Sequence, residues 1–480
     1  MRPMQRVTPG PRWPLHDIAS IRRIEADAAA ALPAHTLMQR AGLAVARLAL
    51  AIAPHARTIW IACGPGNNGG DGLEAAMHLH QWGKGVAVTW LGDAAKAPAD
   101  ARASWQRARD AGVPFADAPP AQWDLGIDAL LGIGAARAPE GRMAEWAQRL
   151  NAGGAPVLAV DIPSGMNADT GNGAFVRADH TVTLLALKPG LFTGGGRDAA
   201  GQVWFDAIGV GAPSAAPTAF LSPAPESAPR PHASHKGSYG DVAVIGGAPG
   251  MTGAALLAGT AALHAGAGRV FVGLLDGGSL PVDPSQPDLM LRAWDTLDLS
   301  HMAVACGCGG GDAVRAVLPK VLSAAGALVL DADALNAIAA DPQLQQLLQA
   351  RGRRNDRRTV LTPHPLEAAR LLGTGTAGVQ EDRLRAAREL AARFHAVALL
   401  KGTGSVVAAP GGELAINPTG NARLATAGTG DVLAGLAAAR LAAGESAFDA
   451  ARDAAYLHGA AADRWPAELP LTASALARRL

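Results

Sequence analysis

The sequence predicts an α/β protein built from two units, and three observations carry this prediction. Strand-like apolar runs alternate with helix-like runs along most of the 480 residues, which favours a mostly parallel sheet with helices on its faces. The chain is too long for a typical single core. A Pro- and Ala-rich stretch breaks the alternation near Ala212, as a linker would. We therefore predict a first unit over residues 1–213, a linker over 214–232 and a second unit over 233–480.

The individual elements follow from short apolar runs bounded by Gly, Pro, Asn or Asp. In the first unit an amphipathic helix is predicted over Ala41–Ala53 and a second helix over Leu73–Trp82, with strands at Thr58–Cys63, Gly85–Leu91 and Pro156–Val160. In the second unit a helix is predicted over Ala254–His264. Its predicted strands are Asp241–Ile245, Arg269–Leu274, Met302–Cys306, Ala327–Leu330, Thr359–Leu361 and Val397–Leu400.

Composition narrows the class of partner. The 42 basic and 41 acidic side chains leave a net charge of +1, and no global field attracts nucleic acid or an acidic membrane. The pattern favours small-molecule substrates. We expect a cytoplasmic protein with no membrane span and with reduced cysteines at Cys63, Cys306 and Cys308. A homo-oligomer is compatible with the sequence, which does not indicate the oligomeric state.

A glycine-rich turn carries the first chemistry of the N-terminal unit. Gly64, Gly66 and Gly69 have the spacing of a dinucleotide-binding turn between a strand and a helix, a weak pattern when alone. The same segment contains Asn67, Asn68 and Asp71. Their oxygen atoms suit a hard cation as well as a nucleotide.

Two further carboxylates, Asp128 and Asp161, follow strand-like runs, and Ser164 comes soon after the second. Ligands of open α/β sheets bind at the carboxyl ends of the strands, so we expect these side chains to converge on the Asn-rich segment. For each carboxylate taken alone, a helix cap or a turn is an equally good interpretation.

These motifs together resemble the NAD(P)H-hydrate epimerase domain, through Asn67–Gly72, Asp128–Gly134 and Val160–Gly165. The resemblance implies a Rossmann-like three-layer fold, Asp161 as the acid–base residue, and potassium held by Asn68, Asp128 and Ser164. It does not decide between loss of hydroxide and ring opening as the route of inversion. It also implies hydrate binding by Asp161 together with Asn67, Asn68, Gly69, Gly70, Asp71, Gly132, Ile133, Gly134, Ala135, Ala136, Arg137 and Ala138.

In the second unit, Thr426–Asp431 precedes an apolar helix-like stretch and predicts an anion site at a helix N-terminus, with Asp431 as a carboxylate beside it. Lys401 ends a strand-like run before Gly-Thr-Gly, which suits a nucleotide phosphate. His364 lies between two prolines, and such a stiff loop favours a positioned ligand contact over a core histidine.

The order of these motifs from His235 to the C-terminus resembles the ADP-dependent NAD(P)H-hydrate dehydratase domain, a ribokinase-like α/β fold. The resemblance implies Asp431 as the catalytic base, with Mg²⁺ on the ADP phosphates. It further implies hydrate contacts at Ala254, Gly309, His364 and Asp431. The nucleotide contacts it implies are Lys401, Gly402, Thr403, Gly404, Ser405 and Gly430.

Four positions depart from the usual pattern: Ala427 replaces a glycine, Cys308 a proline, Gly310 a leucine and Leu366 a glycine. If Ala427 requires positive φ, its methyl group adds strain of about 1 kcal/mol. These departures bear on rate and nucleotide affinity more than on reaction class.

The leading hypothesis is a bifunctional repair enzyme that epimerises NAD(P)H hydrate and dehydrates the S form at the expense of ADP. One alternative is a ribokinase-type small-molecule kinase with an N-terminal ligand-sensing domain, because Gly-Thr-Gly-Asp occurs in both groups. A third hypothesis makes the first unit a binding or scaffold module without catalysis, against which Asn68, Asp128 and Asp161 argue.

Overall fold

The computed structural model describes residues 4–134, 138–226, 231–354 and 356–480. The chain forms two compact units. One contains the described residues up to Thr8 together with Trp13–Phe220, and the other contains Pro9–Arg12 and Leu221–Leu480. None of the helices in these ranges combines the length and apolar character needed to cross a bilayer.

The first unit alternates strands and helices as predicted. Its strands are β1 (Gln5–Arg6), β2 (Pro14–Leu15), β3 (Thr58–Cys63), β4 (Gly85–Trp90), β5 (Leu125–Ala129), β6 (Val157–Val160), β7 (His180–Leu184), β8 (Gln202–Asp206) and β9 (Ala219–Leu221). Its helices are α1 (Ile18–Ala30), α2 (Thr36–Ile52), α3 (Asn67–Gln81), α4 (Ala99–Asp110), α5 (Arg142–Ala152) and α6 (Gly196–Ala199). Strand β9 lies within the segment 214–232 and pairs antiparallel with β2.

The sheet of the first unit is parallel except at one edge. Its strand order is β1-β8-β7-β6-β5-β3-β4, and only the β1–β8 pair is antiparallel. Alternate residues of β3 enter different cores: Ile59 and Ile61 pack with α2 and α3, whereas Trp60 packs with α5. Both faces of the sheet are therefore covered, which gives three layers.

Helix α3 begins earlier than the sequence suggested. We expected the helix from Leu73, because glycine is a poor helix former, but the structure begins it at Asn67 with Gly66 as the N-cap. Close packing explains the glycines: a Cβ on Gly69 would lie 2.0 Å from the Gly64 carbonyl oxygen, and one on Gly72 would lie 2.6 Å from the Ala129 Cβ. Asn67–Asp71 are thus the first turns of a helix, and the expectation of a loop was wrong.

The second unit continues the alternation. Its strands are β10 (Asp241–Gly246), β11 (Arg269–Leu274), β12 (Met290–Leu291), β13 (Ala303–Cys306), β14 (Ala327–Leu330), β15 (Arg358–Leu361), β16 (Val397–Leu400), β17 (Val406–Ala408) and β18 (Leu414–Ile416). Its helices are α7 (Thr252–His264), α8 (Val314–Ala324), α9 (Asp333–Ala340), α10 (Pro342–Gly352), α11 (Pro365–Leu372), α12 (Thr376–Glu381), α13 (Arg383–Phe394), α14 (Thr429–Ala442), α15 (Ala447–Asp463) and α16 (Ala473–Ala477).

Within this unit the strands run in the order β12-β11-β10-β13-β14-β15-β16-β17-β18. Neighbours from β12 to β16 pair parallel, and β17 and β18 add antiparallel strands. The predicted α/β class is confirmed for both units. The segments that follow β13, β14, β15 and β16 all begin at the carboxyl ends of parallel strands. They carry polar residues of the second site.

Candidate active sites

A cavity of about 490 Å³ lies in the first unit beside the ends of β5 and β6. Seven predicted site residues line it: Asn67, Asn68, Asp71, Gly132, Ile133, Gly134 and Asp161. Gly69 and Gly70 are packed against the Gly64 carbonyl and the Met38 side chain instead. Ala138 is exposed, while Ala135, Ala136 and Arg137 fall outside the described residues.

Asp161 is held by both its backbone and its partners. Its φ is +67°, a left-handed conformation that costs a non-glycine residue energy and occurs most often at functional sites. One carboxylate oxygen, Oδ1, accepts a hydrogen bond from the Leu184 amide at 3.1 Å and contacts the Lys188 ammonium. Lys188 Nζ also donates to Thr183 Oγ1 and the Leu184 carbonyl, both at 2.9 Å. All three ammonium protons are used, so the cation is fixed on Asp161.

Carboxylates crowd the same cavity. Asp71, Glu25 and Asp100 line it together with Asp161. Burial and the neighbouring charges, Asp161 first and then Glu25, raise the pKa of Asp71 well above its usual range. Burial and the Asp161 charge also raise the pKa of Glu25. Burial and repulsion therefore favour the protonated forms of Asp71 and Glu25, beside an Asp161 carboxylate that contacts the Lys188 ammonium.

Asp128 and Ser164 lie beneath the cavity and do not line it. Ser164 donates to Asp128 through its amide at 2.8 Å and its hydroxyl at 2.6 Å, and the Leu130 amide lies 3.3 Å from the same carboxylate. Burial raises the pKa of Asp128 to about 6 despite these bonds. Asn68 is also buried, and its Nδ2 atom has no partner within the described chain. The structure buries a carboxylate, a hydroxyl and an unsatisfied amide in this part of the unit.

The second site centres on Asp431, in the first turn of α14 after Gly428. Ligand atoms of Asp431, Asp331 and Cys308 lie within 4.8 Å of one another. Lys401 Nζ contacts Asp331 Oδ1 at 2.6 Å, and the Thr362 hydroxyl donates to the same oxygen at 2.9 Å. Asp431 thus lies at a helix N-terminus, where an anion is favoured, and a partly buried cation, Lys401, lies beside it.

The protonation states of this cluster are set by burial and neighbouring charge. Burial and the Asp331 carboxylate raise the pKa of Asp431 to about 6, although the Cys308 thiol opposes this by donating to it. Burial and the nearby carboxylates raise the pKa of the Cys308 thiol, which stays protonated as the donor. Burial alone would lower the pKa of Lys401, but the Asp331 charge outweighs it and raises that pKa. Asp431 is therefore a carboxylate poised to accept a proton near neutral pH.

The loop after Lys401 rests on a buried arginine. Arg383 donates to the carbonyls of Leu400 at 3.3 Å and Lys401 at 3.2 Å. Gly402 has φ +137°, and a Cβ on it would lie 2.9 Å from the guanidinium. The glycine is required both by its backbone conformation and by this contact. Thr403 and Gly404 complete the turn, and the Ser405 hydroxyl donates to the Gly402 carbonyl at 3.1 Å.

Family models match both units of this chain. A model described as NAD(P)H-hydrate dehydratase matches residues 242–479, and one described as YjeF-related protein N-terminus matches residues 34–190. The chain is 39% identical over 465 residues to the bifunctional NAD(P)H-hydrate repair enzyme Nnr of Escherichia coli, covering 92% of this chain and 88% of the relative. The chain belongs to the bifunctional NAD(P)H-hydrate repair enzyme family.

Two further likenesses concern the second unit. An ADP-dependent (S)-NAD(P)H-hydrate dehydratase of Neisseria meningitidis is 46% identical over 238 residues, covering 48% of this chain and 78% of the relative. A crystal structure of the ADP/ATP-dependent NAD(P)H-hydrate dehydratase from Bacillus subtilis, co-crystallised with ATP and Mg²⁺, is 33% identical with a TM-score of 0.46. That comparison covers 52% of this chain and 91% of the other.

Membership of the repair enzyme family agrees with the resemblance of both sets of motifs, and both units have the expected α/β class. In the second unit, Gly430 lies beside Lys401, since a Cβ on it would be 3.4 Å from Nζ. Gly309, with φ +57°, approaches Ala254, where the two Cβ positions would be 2.8 Å apart. Ala427 is exposed and is not among the described residues with positive φ, so the strain considered for it does not arise.

His364 has a structural role that sequence reasoning did not weigh. It caps α11: its Nδ1 accepts from the Leu366 and Glu367 amides at 3.1 and 3.3 Å, while its own amide donates to Glu367 Oε2 at 2.8 Å. Its Nε2 lies 3.2 Å from Glu367 Oε1. Because Nδ1 accepts, the proton of the neutral ring is on Nε2. The ring remains half-exposed at the site, so the cap and a ligand contact are compatible.

Sequence reasoning missed four residues that lie in or beside these candidate sites: Lys188, Glu25, Asp331 as the partner of Lys401, and Arg383. Lys188 lies four positions beyond the last residue of β7, so no strand-end pattern indicates it. Glu25 and Arg383 lie on amphipathic helices among many charged residues, and nothing in their spacing separates them from solvent-exposed neighbours.

Proposed function

We propose that this chain interconverts the R and S forms of NAD(P)H hydrate in its first unit and dehydrates the S form to NAD(P)H in its second unit, at the expense of ADP. The observation that carries the proposal is that each unit brings an ion-paired lysine, buried in the first unit and partly buried in the second, to the end of its parallel sheet, within a family of bifunctional repair enzymes. A site in each unit is what two successive reactions on one metabolite require.

In the first unit, Asp161 is the proposed acid–base residue. Lys188 holds it ionised and oriented, and the cavity that it lines has about 490 Å³ of space, which suits one nicotinamide ring and part of its ribose. The Asn67 and Asn68 side chains and the Gly132–Gly134 backbone supply hydrogen-bonding groups around the ring.

Potassium is proposed for the buried layer below this cavity. Asp128 is a fully buried carboxylate without a cationic partner among the described residues. The buried Asn68 offers an amide oxygen as a possible ligand, whereas its unpartnered Nδ2 is a donor and does not bind a cation. Carboxylate, hydroxyl and amide oxygens are the ligands of a hard monovalent or divalent cation. Asp128, Ser164 and Asn68 would hold the ion, whose positive charge would stabilise the phosphate and polar groups of the bound hydrate.

In the second unit, Asp431 is the proposed base for phosphoryl transfer. It accepts the proton of the hydrate's C6 hydroxyl as that oxygen bonds to the terminal phosphoryl group of ADP, and AMP leaves. Backbone amides of Thr429 and Gly430 at the start of α14, together with Lys401, stabilise charge on the phosphoryl oxygens. Loss of a C5 proton and of phosphate from C6 then restores the nicotinamide.

Mg²⁺ is proposed on the ADP phosphates. Asp331 offers a hard oxygen ligand of the kind that Mg²⁺ prefers, in a cluster whose other carboxylate is Asp431. The ion would neutralise phosphate charge during transfer. The contacts of Lys401 to Ser405 with the nucleotide and of Ala254, Gly309 and His364 with the hydrate remain part of this proposal, as does a cytoplasmic location, which the free, buried cysteines support.

The kinase alternative predicts a stable phosphorylated product and a first unit that only binds ligand. Membership of the repair enzyme family favours the bifunctional proposal, and the ion-paired Asp161 in a cavity gives the first unit its own chemistry.

The deciding experiment mixes the protein with racemic NADH hydrate, ADP and Mg²⁺ and follows the absorbance of restored NADH. Full recovery is expected, with the R form consumed through the S form. Recovery of half the substrate, on a timescale where spontaneous inversion is slow, would reject the epimerase activity. No recovery with either ADP or ATP would reject the dehydratase activity, and a stable phosphorylated product would favour the kinase.

A further inference from the structure

Two carboxylates with opposite surroundings share the first cavity. Asp161 has a cation fixed on one of its oxygens, whereas Asp71 has no ion pair or hydrogen bond to its carboxyl group within the described residues. Both line the same space of about 490 Å³. A ligand that fills this cavity therefore meets both groups.

The contacts of Asp161 leave one oxygen for chemistry. Lys188, 1% exposed, and the Leu184 amide both bind Oδ1. Within the described residues Oδ2 has no hydrogen-bond partner, and the side chain is 14% exposed to the cavity. An ionised carboxylate with one free, directed oxygen is suited to accept a proton.

The surroundings of Asp71 have the opposite effect. Burial comes first, and four carboxylates add to it: Asp161 directly after β6, Glu25 from α1, Glu74 from its own helix and Asp100 from α4. Glu74 is paired with Arg107 and Asp100 contacts His35, so Asp161 and Glu25 carry most of the repulsion. From β3 Asp71 faces the Cys63 thiol, which is neutral; of the basic residues that line the cavity in the described chain, Lys188 is committed to Asp161 and Arg22 is exposed. Burial and this repulsion raise the pKa of Asp71 and favour its protonated form.

Inversion by loss and return of the C6 hydroxyl, as opposed to ring opening, requires both functions, because one oxygen must gain a proton to leave and another must lose one on arrival. We propose that Asp71 is the second catalytic carboxylate of this site, donating its proton to the departing C6 hydroxyl, while Asp161 takes a proton from the water that adds to the other face. This inference rests on the proposed epimerase activity.

The step balances without an oxidant or reductant. The C6–O bond breaks with its electron pair going to the leaving water, and the N1 lone pair forms an N1=C6 iminium. Water then adds to C6, its extra proton passes to Asp161, and solvent returns that proton to Asp71. In the reverse direction the proton movements are simply reversed, as microscopic reversibility requires.

The test uses Asp71→Asn in the full chain, because asparagine has nearly the shape of a protonated aspartic acid and should fold. With R hydrate as substrate, we expect kcat for inversion to fall by about 10²–10⁴-fold with KM within a few-fold. The fall of kcat/KM at high pH, where Asp71 ionises in the wild type, should disappear. A residue that only binds substrate would instead raise KM and leave kcat and the high-pH limb unchanged, and that outcome would overturn the inference.

Two controls sharpen the result. Glu25→Gln removes a carboxyl group from the same cavity and should cost far less than Asp71→Asn; an equal loss would reassign the proton donor. If Asp71→Asn does not fold, Asp71→Glu keeps the acid and should retain measurable inversion, and complete loss in a folded Asp71→Glu protein would count against the inference.

An isotope measurement tests the bond that breaks. In water enriched in oxygen-18, each inverted molecule should carry one oxygen-18 atom at C6, and inversion with the original oxygen retained would reject proton donation to a leaving hydroxyl. A wild-type protein that fails to invert R hydrate at all would reject the epimerase activity itself, whereas an active wild type with an unaffected Asp71→Asn variant rejects only the role of Asp71.

Discussion

The two sites use the same pair of residue types in different ways. In the first unit, the buried lysine contacts the proposed acid–base carboxylate directly, as Lys188 does with Asp161. In the second unit, Lys401 contacts Asp331 at 2.6 Å, and the proposed base, Asp431, lies beside that pair with its pKa raised to about 6. In the first unit the lysine binds the proposed acid–base carboxylate itself and leaves one of its oxygens free. In the second unit the lysine binds a neighbouring carboxylate, where it can also anchor a phosphate, and the proposed base is a separate carboxylate whose pKa burial raises.

The largest effect on activity should come from removing the proposed acid–base carboxylate of either site, Asp431 or Asp161. Asp431→Asn should lower dehydration of S hydrate by about 10²–10⁴-fold and leave R-to-S exchange intact, while Asp161→Asn should do the reverse. Chromatography measures the R-to-S exchange, and absorbance measures the recovery of NADH. The two reactions are therefore measured separately. A variant that lowers both equally would contradict the independence of the sites.

Replacing each lysine by methionine should cost stability in its own unit. Removing one partner of a buried ion pair costs roughly 3–5 kcal/mol, and Lys188→Met should cost more than Lys401→Met because Lys188 is 1% exposed and Lys401 is 19% exposed. Denaturant unfolding followed by tryptophan fluorescence reports mainly on the first unit, which holds all but Trp294 and Trp465 of the ten tryptophans.

A second substitution in the same protein tests whether the broken ion pair causes the loss of stability. Asp331→Asn should restore much of the stability lost in Lys401→Met, because it removes the uncompensated charge. Lys401→Met should also raise KM for ADP, an effect not expected for Lys188→Met. If the two changes at 331 and 401 are additive in stability, the ion pair is not the source of the loss.

A smaller effect is expected on pH dependence. Asp431 must be ionised to accept a proton, so kcat/KM for S hydrate should fall as the pH drops below about 6, the pKa that burial and Asp331 give it. The Cys308 thiol lowers that pKa by donating to Asp431, so Cys308→Ala should move the acidic limb to higher pH. The shift should be less than about one unit, since a thiol is a weak donor. A shift to lower pH would contradict the hydrogen bond.

The smallest effect should come from Ala427→Gly. The residue is exposed and lacks positive φ, so the change should alter stability by less than about 0.5 kcal/mol and leave KM for ADP unchanged. A tenfold lower KM in this variant would show that the methyl group obstructs the nucleotide.

The parallel strands were predictable from the sequence, as were the positions of Asp161 and Lys401 directly after strands and of Asp431 at the start of a helix, because apolar runs bounded by polar residues are local patterns. Asp128, expected after a strand, lies within β5 near its end. The start of α3 was not, since its glycines are explained by contacts with residues distant in the chain. The Lys188–Asp161 and Lys401–Asp331 pairs join residues that are 27 and 70 positions apart in the sequence. No local sequence pattern predicts such distant partners. The cap at His364 was obscured by the flanking prolines, which suggested a rigid loop and not a helix start.

The glycines of α3 have a consequence for how the first site comes into being. A helix whose opening turns contain Gly69, Gly70 and Gly72 gives up about 0.8–1 kcal/mol per glycine relative to alanine, so its formation in isolation is unfavourable. These glycines pack against Gly64, Met38 and Ala129, and we expect the turns to become helical together with those contacts. The amides of residues 69–72 should therefore exchange with deuterium by the same cooperative opening as the sheet, so the site is assembled together with the core of its unit.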